Sequence, residues 1–485
     1  MNLRKIHIVL LLVCALLLGL GGGYAGVKLA QSNNNDVQDN KAITENIEGA
    51  KETNTPKEMN KVDQAFNLIK ENYLEVVDDQ QLIEGAIQGM LTSLEDPYSS
   101  YMDVETMKQF NEQIESSFEG IGAEVSMVND TVTIVAPIKD SPAEKAGLRP
   151  NDQVLQVDGE RLDGLNLNEA VAKIRGEKGS KVELEIQRAG VSEPFNVTIT
   201  RDTIPVETVY SKTETVDGKK TGIIEITNFS ERTADEFTEQ LDKMEKDGIK
   251  GLVIDVRGNP GGLLDVVEDI LKQFVPNDMP YVQVEDQNGE KSPSYSELEE
   301  RKEYPISVLI DEGSASASEI LAVAMKEMGY DVVGQTSFGK GTVQQAVPLG
   351  DGSTIKLTFF KWLSPEGNWI HEKGVKPTIE AKQADYYYTN PVQIEEPLTL
   401  DHTGDNIKNV QIMLKGLGYD PGRIDGYFSE KTEEAVKDFQ SANDVSSTGK
   451  VDEKTAGLIE TAVVDKIRNG EDDKQLEKAL AEIYE

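Results

Sequence analysis

Between about residues 206 and 383, short apolar strands alternate with amphipathic helices, and no other feature of this chain restricts its fold as tightly. Residues 222–226, 251–256 and 306–310 read as strands; residues 234–247, 263–274 and 318–328 read as helices. The run Gly251-Leu252-Val253-Ile254-Asp255-Val256 is almost continuously apolar. Such a strand belongs inside a sheet that is covered on both faces. The alternation therefore predicts an α/β layer fold for this region.

The chain has 485 residues, too many for one core, so two to four domains are expected. Residues 1–30 hold Arg4-Lys5 followed by an apolar stretch from Ile6 to about Val27. Twenty-two residues of helix would reach roughly 33 Å, enough to cross a bilayer core. A cleaved signal peptide is the rival, but its apolar core is usually shorter and Lys28 spoils the best cleavage site. The expectation is a single-pass anchor in the cell membrane with the body outside. Residues 31–57 are polar and without apolar period, a flexible linker. In residues 58–117 the pattern turns helical. Val62, Ala65, Phe66, Ile69 and Tyr73 recur at three and four and predict one buried face. Packing or formation of a homodimer is the expected role of these helices. Asp96-Pro97-Tyr98-Ser99 breaks the pattern.

Residues 118–202 change to short alternating runs such as Val182-Glu183-Leu184-Glu185-Ile186, separated by Gly- and Pro-containing turns, and read as a β-rich module. Asn166-Leu167-Asn168-Glu169 has the form of a capping box. The α/β region spans residues 203–390. Residues 391–468 form a compact helical unit with Val410, Met413, Leu414 and Leu417 at helical spacing, and residues 469–485 are a charged tail. Asp+Glu outnumber Lys+Arg 87 to 49, a net charge of −38, which repels nucleic acid. The one cysteine, Cys14, permits no intrachain disulfide and no cysteine zinc site. Nothing in the chain implies a metal or an organic cofactor.

Two segments carry chemistry. The first, Gly313-Ser314-Ala315-Ser316-Ala317-Ser318-Glu319, joins a strand to a helix. A helix N-terminus presents free backbone N–H groups and a partial positive charge. A serine there can attack a carbonyl while adjacent N–H groups hold the developing oxyanion. The second is Ser337-Phe338-Gly339-Lys340-Gly341-Thr342-Val343-Gln344. The chain has three histidines. His7 lies in the apolar N-terminus and His402 between domains, so His371, in a polar loop, is the one left for a Ser-His-Asp site. Lys340 is the better base. It must be neutral to act, which costs about 4–5 kcal/mol at pH 7 for a lysine of ordinary pKa. A dry pocket removes most of that cost.

These segments together resemble the signature of the carboxy-terminal processing peptidases. The resemblance implies a multidomain α/β protein: an α/β layered serine protease core (crotonase/Clp-like), a β-rich PDZ domain and a small three-helix C-terminal domain. It implies Ser316 as nucleophile, Lys340 as general base and Gln344 as the residue that orients the lysine. Arg257-Gly258-Asn259-Pro260-Gly261-Gly262 matches another family segment, which with the Ala317 amide implies the oxyanion hole; Gly261 is the residue assigned there. Phe118-Glu119-Gly120-Ile121-Gly122-Ala123, ahead of Ser141-Pro142-Ala143, resembles the carboxylate-binding loop of a PDZ domain. Its backbone N–H groups would hold a substrate C-terminus as an added strand. Gly120, Ile121, Gly122 and Ala123 form that loop, and Ile121, Val171 and Ile174 are the pocket candidates. Arg175 matches an arginine that links the PDZ module to the protease in some members, a regulatory expectation. Val410-Gln411, Leu417-Gly418-Tyr419 and Ile424-Asp425-Gly426-Tyr427-Phe428 resemble a three-helix peptidoglycan-binding domain.

The expected function is extracytoplasmic cleavage of protein substrates near their C-termini, in signalling or envelope maturation of a spore-forming bacterium. The alternative is a non-catalytic PDZ and cell-wall-binding scaffold built on an inactive protease fold.

Overall fold

The computed structural model describes residues 57–128 and 131–485. The apolar N-terminal stretch and most of the linker lie outside the described residues. Among the described residues no helix is long and apolar enough to cross a membrane.

Helices Asn60–Asn72 and Asp79–Thr92 form where the apolar period predicts them, but neither buries a single residue. Val62, Ile69 and Tyr73 are exposed instead of forming an internal face. The period marks a helix with an apolar stripe that no described residue buries.

The β-rich module is an antiparallel sheet in the order Ala123–Val128, Thr131–Pro137, Gln153–Val157, Lys181–Gln187, Phe195–Thr200. Strand Lys181–Gln187 shows why. Val182, Leu184 and Ile186 are fully buried while the residues between them face outward, the period of two that a half-buried strand requires. Helix Leu167–Ile174 opens on the expected capping box, with Asn166 and Glu169 exchanging side-chain and backbone bonds.

The α/β region is built on a six-stranded sheet. Lys219–Ile226, Gly251–Asp255, Ile306–Ile310, Asp331–Gly334 and Ile379–Glu380 run parallel, and Val209–Val216 closes one edge antiparallel. All residues of Gly251–Asp255 and Ile306–Ile310 are buried, because both faces are covered. Helices Thr233–Lys246, Leu264–Leu271 and Ala317–Glu327 pack against Ile224, Leu252, Ile254 and Val308. On the opposite face Ile223, Val253, Leu309 and Val333 meet Leu476, Ala479 and Ile483. The last segment, which composition reads as a charged tail, is therefore the helix Lys474–Glu482 and a structural layer of the core. A second, antiparallel sheet joins Thr342–Pro348 to Thr354–Leu363, which also pairs with Ser100–Met102 and Val282–Glu285.

The C-terminal unit packs helices Asp405–Gly416, Glu430–Ala442 and Glu453–Arg468 around Val410, Leu414, Phe428 and Phe439. Two buried glutamines pin its turns: Gln411 Oε1 accepts from Gly426 N and Gln440 Oε1 from Gly449 N, both at 2.9 Å.

Candidate active site

The site forms where the parallel strands end. Strand Gly251–Asp255 runs into the loop 256–262 and strand Ile306–Ile310 into the turn 311–316, side by side at the carboxyl edge of the sheet. That edge is where open α/β sheets bind ligands. Hydrogen bonds knit the two loops together. Asp311 Oδ1 accepts from the amides of Gly258 (2.8 Å) and Gly313 (3.0 Å). Asn259 O accepts from Ala315 N (3.0 Å) and Ser318 Oγ (2.9 Å).

Ser316 caps the helix Ala317–Glu327 with φ 54° and ψ −112°. A non-glycine residue in the left-handed region stores about 1–3 kcal/mol of strain, held only when its surroundings over-determine it. Glu319 supplies much of that hold. This residue is fully buried. Its Oε2 accepts from Ser316 N and from Lys340 N, each at 2.8 Å. Its Oε1 accepts from Ser337 Oγ (2.6 Å) and Gly339 N (2.7 Å). One carboxylate thus ties the backbone of the serine to the backbone of the lysine. Sequence reasoning did not assign Glu319 to the site, although Ser316-x-x-Glu319 has the spacing of a capping box. The reach to Lys340, 21 residues on, has no local signature.

The lysine loop is clamped along its length. Lys340 O accepts from Trp362 Nε1 (2.9 Å), Gly341 O from Trp369 Nε1 (2.8 Å) and Gly339 O from Glu372 N (2.8 Å). Gly339 has φ 96°, and a Cβ on Gly341 would fall 2.8 Å from Trp369 Nε1, so both flanking positions demand glycine. His371 stacks on Trp369 and accepts from Gly341 N through Nδ1 at 3.2 Å. It buttresses the lysine loop and does not line the cavity beside Ser316.

That cavity, of 240 Å³, brings Ser316, Lys340 and Gln344 to one wall system with Gly262, Phe110 and Trp362. Burial pushes the Lys340 ammonium below its ordinary pKa, and Lys356, a second cation lining the cavity, pushes in the same direction; Asp96 and Glu319 act against them. The shift favours the neutral amine, the form a base requires. Lys340 Nζ lies 5.2 Å from the centre of the Tyr98 ring. Gln344 Nε2 donates to Thr342 Oγ1 (2.9 Å) and Thr358 Oγ1 (3.0 Å).

Two backbone amides beside Ser316 are left unengaged. Ala317 N, in the first turn of its helix, and Gly262 N have no acceptor among the described residues. Gly261 N is engaged with Asn259 Oδ1 at 2.8 Å. Gly261 is required for another reason: a Cβ there would lie 2.8 Å from both Ala315 O and Ser316 Cβ.

In the β-rich module, Gly120 and Gly122 are buried and Ala123 half-buried; Gly122 has φ 74°. Ile121 and Ile174 sit in the module's core, and Val171, on the same helix as Ile174, is half-buried. Arg175 ends the helix Leu167–Ile174. Its Nη1 donates to Glu112 Oε2 at 3.2 Å and its guanidinium lies 4.7 Å over the Phe118 ring. Glu112 belongs to helix Val104–Ile114, which also presents Phe110 and Ile114 to the cavity. Among the described residues no cluster of His, Cys, Asp and Glu could hold a metal ion.

A strained serine at a helix N-terminus, beside a half-buried lysine at the edge of a parallel sheet, defines the class as a layered α/β serine protease. Comparison with known proteins gives its family. The description "Peptidase family S41" matches residues 220–381, a PDZ domain residues 133–188 and a peptidoglycan binding domain residues 403–459. "Activating protease CtpB N-terminal domain" matches residues 16–106. The chain is 50% identical over 471 residues to the carboxy-terminal processing protease CtpB of Bacillus subtilis (strain 168), covering 97% of each. It is 44% identical over 421 residues to the carboxy-terminal processing protease CtpA of the same organism, covering 87% of this chain and 89% of that protein. A solved photosystem II D1 C-terminal processing protease aligns with 68% of this chain and 94% of its own at 25% identity, TM-score 0.42. The chain belongs to the carboxy-terminal processing proteases of peptidase family S41.

Proposed function

We propose that this serine protease cuts protein substrates near their C-termini by a Ser316–Lys340 mechanism. One observation carries the reading: Ser316 and a half-buried Lys340 with a lowered pKa line the same cavity, their backbones joined through Glu319. Neutral Lys340 takes the proton of Ser316 Oγ as that oxygen bonds the scissile carbonyl carbon. The amide of Ala317 and an amide of the Gly261–Gly262 pair, with Gly262 N unengaged, receive the oxyanion. The Lys340 ammonium then protonates the departing amine as the C–N bond breaks, leaving an acyl-enzyme. Lys340 deprotonates the water that hydrolyses it, and the proton returns to Ser316. Gln344 orients the lysine throughout.

The PDZ module recruits the substrate tail by strand addition at Gly120, Ile121, Gly122 and Ala123, with Val171 and Ile174 shaping the pocket. Arg175 reports occupancy to the protease through Glu112, a route supported by the helix that carries Glu112 and also lines the cavity. The C-terminal domain holds peptidoglycan. The N-terminal segment anchors the protein in the membrane as a single-pass span, with its body extracytoplasmic. The exposed apolar stripe of helices Asn60–Asn72 and Asp79–Thr92 supports a homodimer. The biological setting is signalling or envelope protein maturation, including sporulation.

The test is cleavage of an unfolded, C-terminally tagged substrate by wild type, Ser316→Ala and Lys340→Ala. Wild type is expected to cleave and to be labelled at Ser316 by a serine-directed probe. Both variants are expected to lose activity by at least about 100-fold. A wild type that cleaves nothing, or a variant that cleaves as well as wild type, overturns the assignment and leaves the scaffold reading.

A further inference from the structure

The Asp96-Pro97-Tyr98-Ser99 segment reads in sequence as a helix breaker, yet it folds back beneath the active site. Asp96 is tied there by three donors: Ser99 Oγ at 2.6 Å and Thr358 Oγ1 at 2.7 Å, both to Oδ2, and Tyr98 N at 3.0 Å to Oδ1. Thr358 N also donates to Ser99 Oγ at 3.1 Å, which holds the segment against strand Thr354–Leu363. The same Thr358 hydroxyl receives Gln344 Nε2 at 3.0 Å.

We propose that Asp96, acting through Thr358, is a positioning residue that fixes which way the Gln344 amide faces. The logic is one of donors and acceptors. Burial works against charge on Asp96, but the hydrogen bonds from Ser99, Thr358 and Tyr98 outweigh it and hold the carboxyl below its usual range. An ionised carboxylate can only accept. The Thr358 hydroxyl hydrogen is therefore committed to Asp96, and the hydroxyl meets Gln344 as an acceptor. Only the NH2 end of the amide satisfies it, and Thr342 Oγ1, at 2.9 Å, takes the second N–H. With both amide hydrogens spent on threonines, the carbonyl oxygen Oε1 is the end left for an N–H of Lys340. An acceptor there orients the lysine nitrogen so that its lone pair can be aimed at Ser316. An amide turned the other way would set its own hydrogens against those of the lysine. A glutamine is symmetrical in shape but not in polarity, and the relay selects its orientation.

This inference rests on Lys340 as the base. Its test uses the full-length enzyme with a tagged protein substrate and three variants. Thr358→Val removes the relay hydroxyl at nearly constant shape. Thr358→Ser keeps it. Asp96→Asn can place an NH2 against Thr358, which turns the hydroxyl hydrogen towards Gln344 and reverses the relay. Thr358→Val and Asp96→Asn are expected to lower kcat by roughly 10- to 100-fold, the scale of a misaligned reacting group, with KM unchanged. The ascending limb of the pH–rate profile should move as well, and Thr358→Ser should restore both. Combining Gln344→Ala with Thr358→Val should cost no more than Gln344→Ala alone, because the two act as one unit. Wild-type kcat and pH profile in Thr358→Val, or additive losses in the double variant, overturn the relay. Lys340→Ala separates the two claims: if it is inactive while Thr358→Val is unaffected, only the relay fails. If Lys340→Ala is active, the base assignment fails with it.

Discussion

Arg257 and Asp473, 216 residues apart in the chain, meet as a two-pronged ion pair, Nη1 to Oδ1 and Nη2 to Oδ2 both at 2.7 Å. Arg257 also holds Asp255, at 2.9 Å from Nε and 2.6 Å from Nη2. The pair is largely buried, with 15% and 13% of the two side chains exposed. Arg257 opens the loop that carries Gly261 and Gly262, and Asp473 caps the helix Lys474–Glu482. The C-terminal helix is thereby fastened to the loop beside the nucleophile.

Removing Asp473 leaves Arg257 with half its counter-charge in a buried site. Asp473→Ala is expected to cost about 3 kcal/mol of stability, read from the shift of a urea unfolding transition. Burial by itself would raise the Asp473 carboxyl, but Arg257 overrides it and holds the group down at about 2. An unfolded aspartate titrates near 3.9. The stability Asp473 contributes is therefore complete above about pH 4 and lost as pH falls to about 2. Wild type and Asp473→Ala should converge in stability across that interval; a constant gap would count against the ion pair.

Glu319 faces donors at every contact: three backbone amides and the Ser337 hydroxyl. Glu319→Gln places two amide hydrogens among them. The expected result is a loss of about 2–3 kcal/mol in stability and roughly 100-fold in kcat, since the serine and lysine backbones lose their shared anchor. Near wild-type kcat in a folded Glu319→Gln protein would show that the carboxylate is merely a cap.

Lys356 lines the same cavity as Lys340 and helps hold its pKa down. Removing that charge makes a protonated Lys340 easier to keep, so the Lys340 pKa rises. On the proposed mechanism activity requires the neutral amine and increases as pH passes through that pKa. Lys356→Met should therefore shift the ascending limb of the kcat/KM profile to higher pH and reduce activity near neutrality. Saturating alkaline pH should restore most of it. A limb that stays in place, or moves to lower pH, removes this role for Lys356.

The Arg175–Glu112 ion pair joins the end of a PDZ-module helix to the helix bearing Phe110 and Ile114, the route proposed for regulation. Arg175→Glu is expected to abolish stimulation of cleavage by a C-terminal peptide, while Arg175→Glu with Glu112→Arg should recover part of it. Equal stimulation in wild type and Arg175→Glu would sever the link. The ion pair is partly exposed, so its effect on global stability should stay below about 1 kcal/mol.

Local patterns in the sequence determined much of this protein. The alternation of apolar strands and helices specified the covered sheet, because a strand buried on both faces must be apolar throughout. Val182, Leu184 and Ile186 specified their strand by the same reasoning at period two. The Ser316 turn and the glycine-flanked Lys340 were legible because their geometry demands particular residues at fixed offsets. What the tertiary structure alone decided lies in contacts between distant segments. Leu476, Ala479 and Ile483 share one helical face, yet the charges around them hide it until the sheet supplies a surface to bury it. The apolar face of Asn60–Asn72 shows the converse: an amphipathic period makes a helix but does not name what covers it. Glu319 bridging to Lys340, Arg257 reaching Asp473 and Asp96 reaching Gln344 through Thr358 all depend on chain reversals. A hydrogen bond across such a reversal imposes no spacing that a sequence could display.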